Sequence, residues 1–128
     1  MVYKSPPVGN EISCVMYGVK EEILNNHEHL KEIFLEALKQ ENFTILNQFS
    51  HEFEPKGFTM IIMLAESHAT LHTYPEYNSL HFSIYSCRGP EDGKKVFEFL
   101  KEKLSPSSID FSEKRVIVDV RHGNHKNT

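Results

Sequence analysis

The run Phe58 to Ala65 (Phe-Thr-Met-Ile-Ile-Met-Leu-Ala) is the most apolar stretch of the chain and carries no charge. Bounded by Pro55-Lys56-Gly57 on one side and Glu66-Ser67-His68 on the other, it reads as a strand buried on both faces. Such a strand must be covered by further structure, and it delivers the chain directly to Glu66 and Ser67.

The flanking segments supply that structure. Glu11 to Tyr17 reads as a strand ended by Gly18, and Lys20 to Gln40 switches to helical spacing. The apolar stripe of that helix is Ile23, Leu24, Leu30, Ile33, Phe34, Ala37 and Leu38. Phe43 to Phe53 alternates loosely as a second strand, and Ala69 to Thr73 reads as a short one. Ser79 to Cys87 alternates more strictly: Leu80, Phe82 and Ile84 share one face, His81, Ser83, Tyr85 and Cys87 the other. Val96, Phe97, Leu100 and Leu104 make Glu91 to Leu104 an amphipathic helix, and Arg115 to Val120 a last strand. Residues 1–10 read as a loose leader and 122–128 as a polar tail. This order implies an α+β fold, a two-layer sandwich with an antiparallel-rich sheet and two helices on one face.

At 128 residues the chain suits a single domain. A domain this small keeps much of its surface, so a deep pocket for a small-molecule substrate is expected to be completed by a second copy, giving a homodimer. Net charge is −4 with acidic and basic residues interspersed, which excludes a basic stripe for nucleic acid. No apolar run approaches bilayer length and the N-terminus lacks a signal-peptide core, so no membrane association and a cytoplasmic location are expected. Cys14 and Cys87 belong to no CxxC pair and are expected to be free thiols. His68, His72 and His81 have no carboxylate to complete a plausible set of ligands, so no metal is expected.

Taken alone, Ser67 reads as a strand-end or turn serine, and its surroundings reverse that reading. Leu64-Ala65-Glu66-Ser67-His68-Ala69-Thr70-Leu71-His72-Thr73-Tyr74-Pro75-Glu76-Tyr77 resembles the processing region of bacterial and archaeal S-adenosylmethionine decarboxylases, and the resemblance continues to Cys87. It implies self-cleavage between Glu66 and Ser67, into a β chain of residues 1–66 and an α chain of residues 67–128. Ser67 would become a pyruvoyl cofactor, with His72 and Thr59 assisting processing and Cys87 donating a proton in catalysis. It also implies that Phe53 and Tyr74 stack on the adenine of the substrate and that Glu76 binds its ribose.

The chemistry explains the need for these residue types. Decarboxylating an amino acid leaves a carbanion, so the enzyme needs an electron sink conjugated to the substrate nitrogen. No ordinary side chain supplies one, and the chain has no glycine-rich phosphate loop for pyridoxal phosphate. A serine hydroxyl that attacks the preceding carbonyl turns an amide into an ester, and β-elimination then leaves a pyruvoyl carbonyl. That sequence needs a strained or polarised peptide, a stabilised oxyanion and a base for the Cα proton.

The chain also departs from the family. It has Gly9-Asn10-Glu11 in place of Gly-x-His, Val19 after Tyr17-Gly18 in place of cysteine, and Ser83 in place of an acid before Cys87. Arg88 intervenes between Cys87 and Gly89. Arginine or ornithine decarboxylation by the same cofactor is therefore the alternative substrate reading. A reading of another class is an uncut, non-catalytic dimer partner, although a scaffold has no chemical need for Ser67, His72 and Cys87 together.

Overall fold

The computed structural model describes residues 4–121; the expected tail, 122–128, and the first three residues of the leader lie outside them. In chain order the elements are β1 (Val8–Tyr17), α1 (Glu21–Leu24), α2 (His27–Gln40), β2 (Ile45–Glu52), β3 (Phe58–Leu64), β4 (Ser67–Tyr74), a 3-10 turn (Pro75–Tyr77), β5 (Ser79–Ser86), α3 (Lys94–Leu104) and β6 (Ser108–Ile117). The strands form one sheet in the order β2-β3-β4-β5-β1-β6, with every neighbouring pair antiparallel. The helices supply the second layer of an α+β sandwich, as expected from the sequence.

One face of the sheet makes the core. Ile12, Cys14 and Met16 of β1, Phe58, Met60, Ile62 and Leu64 of β3, Ala69 and Leu71 of β4, and Leu80, Phe82 and Ile84 of β5 are buried. Against them lie Leu30, Ile33, Phe34, Ala37 and Leu38 of α2 and Val96, Leu100 and Leu104 of α3, spaced so that each helix turns a single stripe inward. Phe34 meets Phe82 edge to face at 6.0 Å, and burying side chains of this size stabilises the fold by about 1.5–3 kcal/mol each.

Several boundaries differ from the sequence expectation. The helix expected over 20–40 is broken: Asn26 ends the first turn and its side chain accepts from His29 N at 3.2 Å, which caps a new helix. β1 begins at Val8, inside the expected leader, because β6 pairs with it along its whole length from Val8–Ile117 to Tyr17–Ser108. That pairing also starts the last strand at Ser108 and ends it at Ile117, so that it takes in Ser108–Lys114, where only Ile109 and Phe111 are apolar. β3 is buried on one face only, since Ile61 and Met63 are 45% and 53% exposed. Both helices cover the opposite face, so the second set of apolar positions on β3 remains on the open one.

Candidate active site

The turn from β3 into β4 carries Glu66 and Ser67, and its backbone is constrained from three sides. Ala65 N donates to Thr44 O at 2.9 Å, Thr44 N donates to Glu66 Oε1 at 3.0 Å, and Cys87 N donates to Glu66 O at 3.1 Å. The last of these oxygens belongs to the peptide bond that joins Glu66 to Ser67. A backbone N–H aimed at that oxygen polarises the carbonyl and stabilises negative charge that develops on it. Ser67 has φ of 152°, a conformation that side-chain-bearing residues rarely adopt. Strain and polarisation thus meet at one peptide bond, the two properties that attack by the Ser67 hydroxyl requires.

Beside this turn lies a cleft of about 510 Å³ whose lining includes Ala65, Glu66, Cys87, Arg88, Val8 and Lys4. Cys87 follows the end of β5 and is half-buried, so its thiol is within reach of a molecule in the cleft. The hydroxyl of Tyr85 is held above its ordinary pKa, first by its interaction with the Cys87 side chain and then by burial. Nothing in the sequence marked Tyr85 beyond its alternation with Cys87.

Thr59 and His72 are brought together, but elsewhere. They are cross-strand partners of β3 and β4, and Thr59 Oγ1 lies 3.0 Å from His72 Nδ1. The same row of the open face continues to His81, whose ring centroid is 6.0 Å from that of His72 and whose Nε2 is 3.0 Å from Ser13 Oγ. Burial, then the neighbouring His72, hold the His81 imidazole below its ordinary pKa. His72 is five residues beyond Ser67 on one continuous strand, which separates their Cα atoms by about 16 Å. A strand cannot fold back over such a distance, so the expected processing helpers do not adjoin Ser67 within one chain.

Phe53, Tyr74 and Glu76 lie at the His72 end of the sheet. Phe53 follows β2, packs edge-on against His51 at 4.6 Å and is about half exposed; Tyr74 closes β4; Glu76 sits exposed in the 3-10 turn. Ser83, at the position of a family acid, is 2.5 Å from Thr70 Oγ1. The candidate residues therefore divide into two groups: Glu66, Ser67 and Cys87 at one end of β4, and Thr59, His72, Phe53, Tyr74 and Glu76 toward the other. Among the described residues, no group of three or more His, Cys, Asp or Glu side chains has an arrangement that could hold a metal, and no helix is long and apolar enough to cross a membrane.

Comparisons with known proteins place the chain in a family and match its fold. The family model for S-adenosylmethionine decarboxylase matches residues 10–115. The S-adenosylmethionine decarboxylase proenzyme of Archaeoglobus fulgidus is 35% identical over 101 residues, 79% of this chain and 90% of the relative. The proenzyme of the same name from Thermoplasma acidophilum is 36% identical over 102 residues, 80% of this chain and 78% of the relative. The crystal structure of the adenosylmethionine decarboxylase from Aquifex aeolicus superposes with a TM-score of 0.81 at 28% identity, covering 90% of this chain and 96% of that one.

Proposed function

Because the chain belongs to the S-adenosylmethionine decarboxylase family, we propose that it decarboxylates S-adenosylmethionine after cutting itself between Glu66 and Ser67, into residues 1–66 and 67–128. The product would be the aminopropyl donor of spermidine biosynthesis, made in the cytoplasm. The observation that carries the reading is the Glu66–Ser67 peptide itself, with positive φ at Ser67 and its carbonyl oxygen held by Cys87 N at 3.1 Å. The Ser67 hydroxyl attacks that carbonyl, and the Cys87 N–H stabilises the oxyanion. His72, oriented by Thr59, takes the Cα proton of residue 67.

A pyruvoyl group at residue 67 supplies the carbonyl that draws electrons from the substrate as carbon dioxide leaves. The surroundings fit it: position 67 adjoins a cleft, a backbone donor and a half-buried thiol. Cys87 then protonates the former α-carbon of the substrate, while Phe53 and Tyr74 stack on its adenine and Glu76 binds its ribose.

The separation of Ser67 from His72 supports a homodimer in which each site draws on both chains. The open face offers Phe49, Ile61 and Met63, each about half exposed or more, as an apolar surface for the second copy. A two-fold axis parallel to the sheet and across the strands, over the midpoint between Ser67 and His72, superposes these two positions in sheets stacked about 10 Å apart.

The test is the intact mass of the purified protein, followed by carbon dioxide release from carboxyl-labelled S-adenosylmethionine, arginine and ornithine. Two fragments joining at residues 66 and 67, and release from S-adenosylmethionine alone, are expected. Efficient cleavage of Ser67→Ala would overturn the processing role, and release only from arginine or ornithine would overturn the substrate. A wild-type chain that stays uncut and inactive but binds an active relative would establish the non-catalytic reading instead.

A further inference from the structure

After β5 the chain carries Cys87 into the cleft and returns through Arg88 to Asp92 before α3. The fully buried Ser86 lies at the centre of this return: its Oγ accepts from Arg88 N at 3.1 Å and donates to Asp92 Oδ2 at 2.6 Å. Arg88 closes the ring with a fork, Nε to Asp92 Oδ2 at 2.8 Å and Nη2 to Asp92 Oδ1 at 3.2 Å. Asn10 Nδ2 donates to the Asp92 carbonyl at 2.9 Å and ties the same turn to β1.

The guanidinium also reaches the other loop of the site. Its central carbon lies 3.7 Å from the centroid of the Phe43 ring, and the next residue, Thr44, makes the two hydrogen bonds that hold Ala65 and Glu66. Arg88 therefore joins the turn that carries Cys87 to the segment that anchors the Glu66–Ser67 peptide.

We propose that Arg88, forked onto Asp92 and stacked on Phe43, is a positioning residue that fixes Cys87 relative to residue 67 and so sets both the rate of self-cleavage and the carbon that receives the catalytic proton. This rests on the pyruvoyl reading above. With one edge of the guanidinium spent on Asp92 and a face on Phe43, the side chain acts on the reaction through Cys87. Lysine, a point charge without a planar fork, reproduces neither contact fully.

The consequence for the proton is specific. When carbon dioxide leaves, its bonding electron pair is shared between the substrate α-carbon and the α-carbon of residue 67. A proton delivered to the substrate carbon yields, after hydrolysis, the amine product and restores the carbonyl at residue 67. A proton delivered to residue 67 yields, after hydrolysis, alanine at that position and an aldehyde in place of the amine. In that branch residue 67 is reduced by two electrons and the substrate carbon oxidised by two, so the enzyme is spent.

The experiment follows Arg88→Ala, Arg88→Lys and Asp92→Asn by intact mass, scoring the time course of cleavage and the fraction of α chain beginning with alanine per turnover. Arg88→Ala is expected to slow cleavage and raise the alanine fraction by roughly tenfold or more, since a donor displaced by a fraction of an ångström loses rate on this scale. KM should stay within about twofold, and Arg88→Lys and Asp92→Asn should fall between wild type and Arg88→Ala. If Arg88→Ala does not fold, the two milder variants carry the same measurement. A KM raised about tenfold with an unchanged alanine fraction would make Arg88 a substrate-binding residue and overturn the proposal. So would unchanged cleavage and alanine formation in the folded variants. An uncut wild-type chain would sink the parent reading along with it.

Discussion

His72→Ala, slow to process on its own, should be cut when it is expressed together with the uncleavable Ser67→Ala. Ser67 and His72 lie five residues apart on β4, a Cα separation of about 16 Å, whereas a base must come within about 3 Å of the proton it removes. In a mixed dimer one site combines Ser67 from the His72→Ala chain with His72 from the Ser67→Ala chain, and the other site has neither. Random pairing of equal amounts puts about half of the His72→Ala chains into mixed dimers. Cleavage should therefore plateau near half of those chains and spare every Ser67→Ala chain. His72→Ala alone should process about 10²–10⁴-fold more slowly than wild type, the usual loss when a general base is removed. Differently tagged copies, co-purified and resolved by intact mass, give the fractions directly. Cleavage of His72→Ala no greater in the mixed dimer than alone would refute the shared site and require a route within one chain.

Three further outcomes follow from the packing and the charges. Phe34→Ala, which empties a fully buried position against Phe82, should cost about 3–5 kcal/mol in urea unfolding, and a loss below about 1 kcal/mol would contradict the core described above. Burial pushes the Cys14 thiol up to about 11, so iodoacetamide on the native protein near neutral pH should label Cys87 and spare Cys14, as peptide mass would report; equal labelling would refute it. Burial alone would raise the Asp92 carboxyl, but the hydrogen bonds from Arg88 and Ser86 outweigh it and hold the group below its ordinary pKa. Its contribution to stability is thus complete above the ordinary aspartate range and is lost as pH falls toward the folded value. Asp92→Asn should flatten that part of the stability profile, and an unchanged acid slope would show that the Arg88 fork contributes little.

The open face of β3 shows where sequence reading reaches its limit. The apolar run from Phe58 to Ala65 identifies a strand, yet Phe, Met, Ile and Leu have the same apolar character whether a helix or nothing covers them. Only the location of α2 and α3 distinguishes buried Ile62 from exposed Ile61. The start of β6 was hidden for the opposite reason: over Ser108–Lys114 only Ile109 and Phe111 are apolar, and the strand conformation there is fixed by backbone pairing with β1. The break at Asn25-Asn26 was available in the residues, since asparagine is a poor helix former and a good cap.

What the sequence determined by itself is the class of fold and, through its resemblance to a known family, the kind of chemistry. Glu66-Ser67-His68 after an apolar strand, with His72, Thr59 and Cys87 at their intervals, carried the family resemblance that implies self-processing, and the apolar periodicities implied an α+β sheet without any coordinates. Tertiary structure decided which of those residues meet. Regular extension of β4 separates Ser67 from His72, while the return of β5 brings the Cys87 N–H to the Glu66 carbonyl across twenty residues of chain. Arg88, Asp92 and Phe43 acquire a common purpose only there, because an ion pair and a ring contact between segments depend on how the chain doubles back.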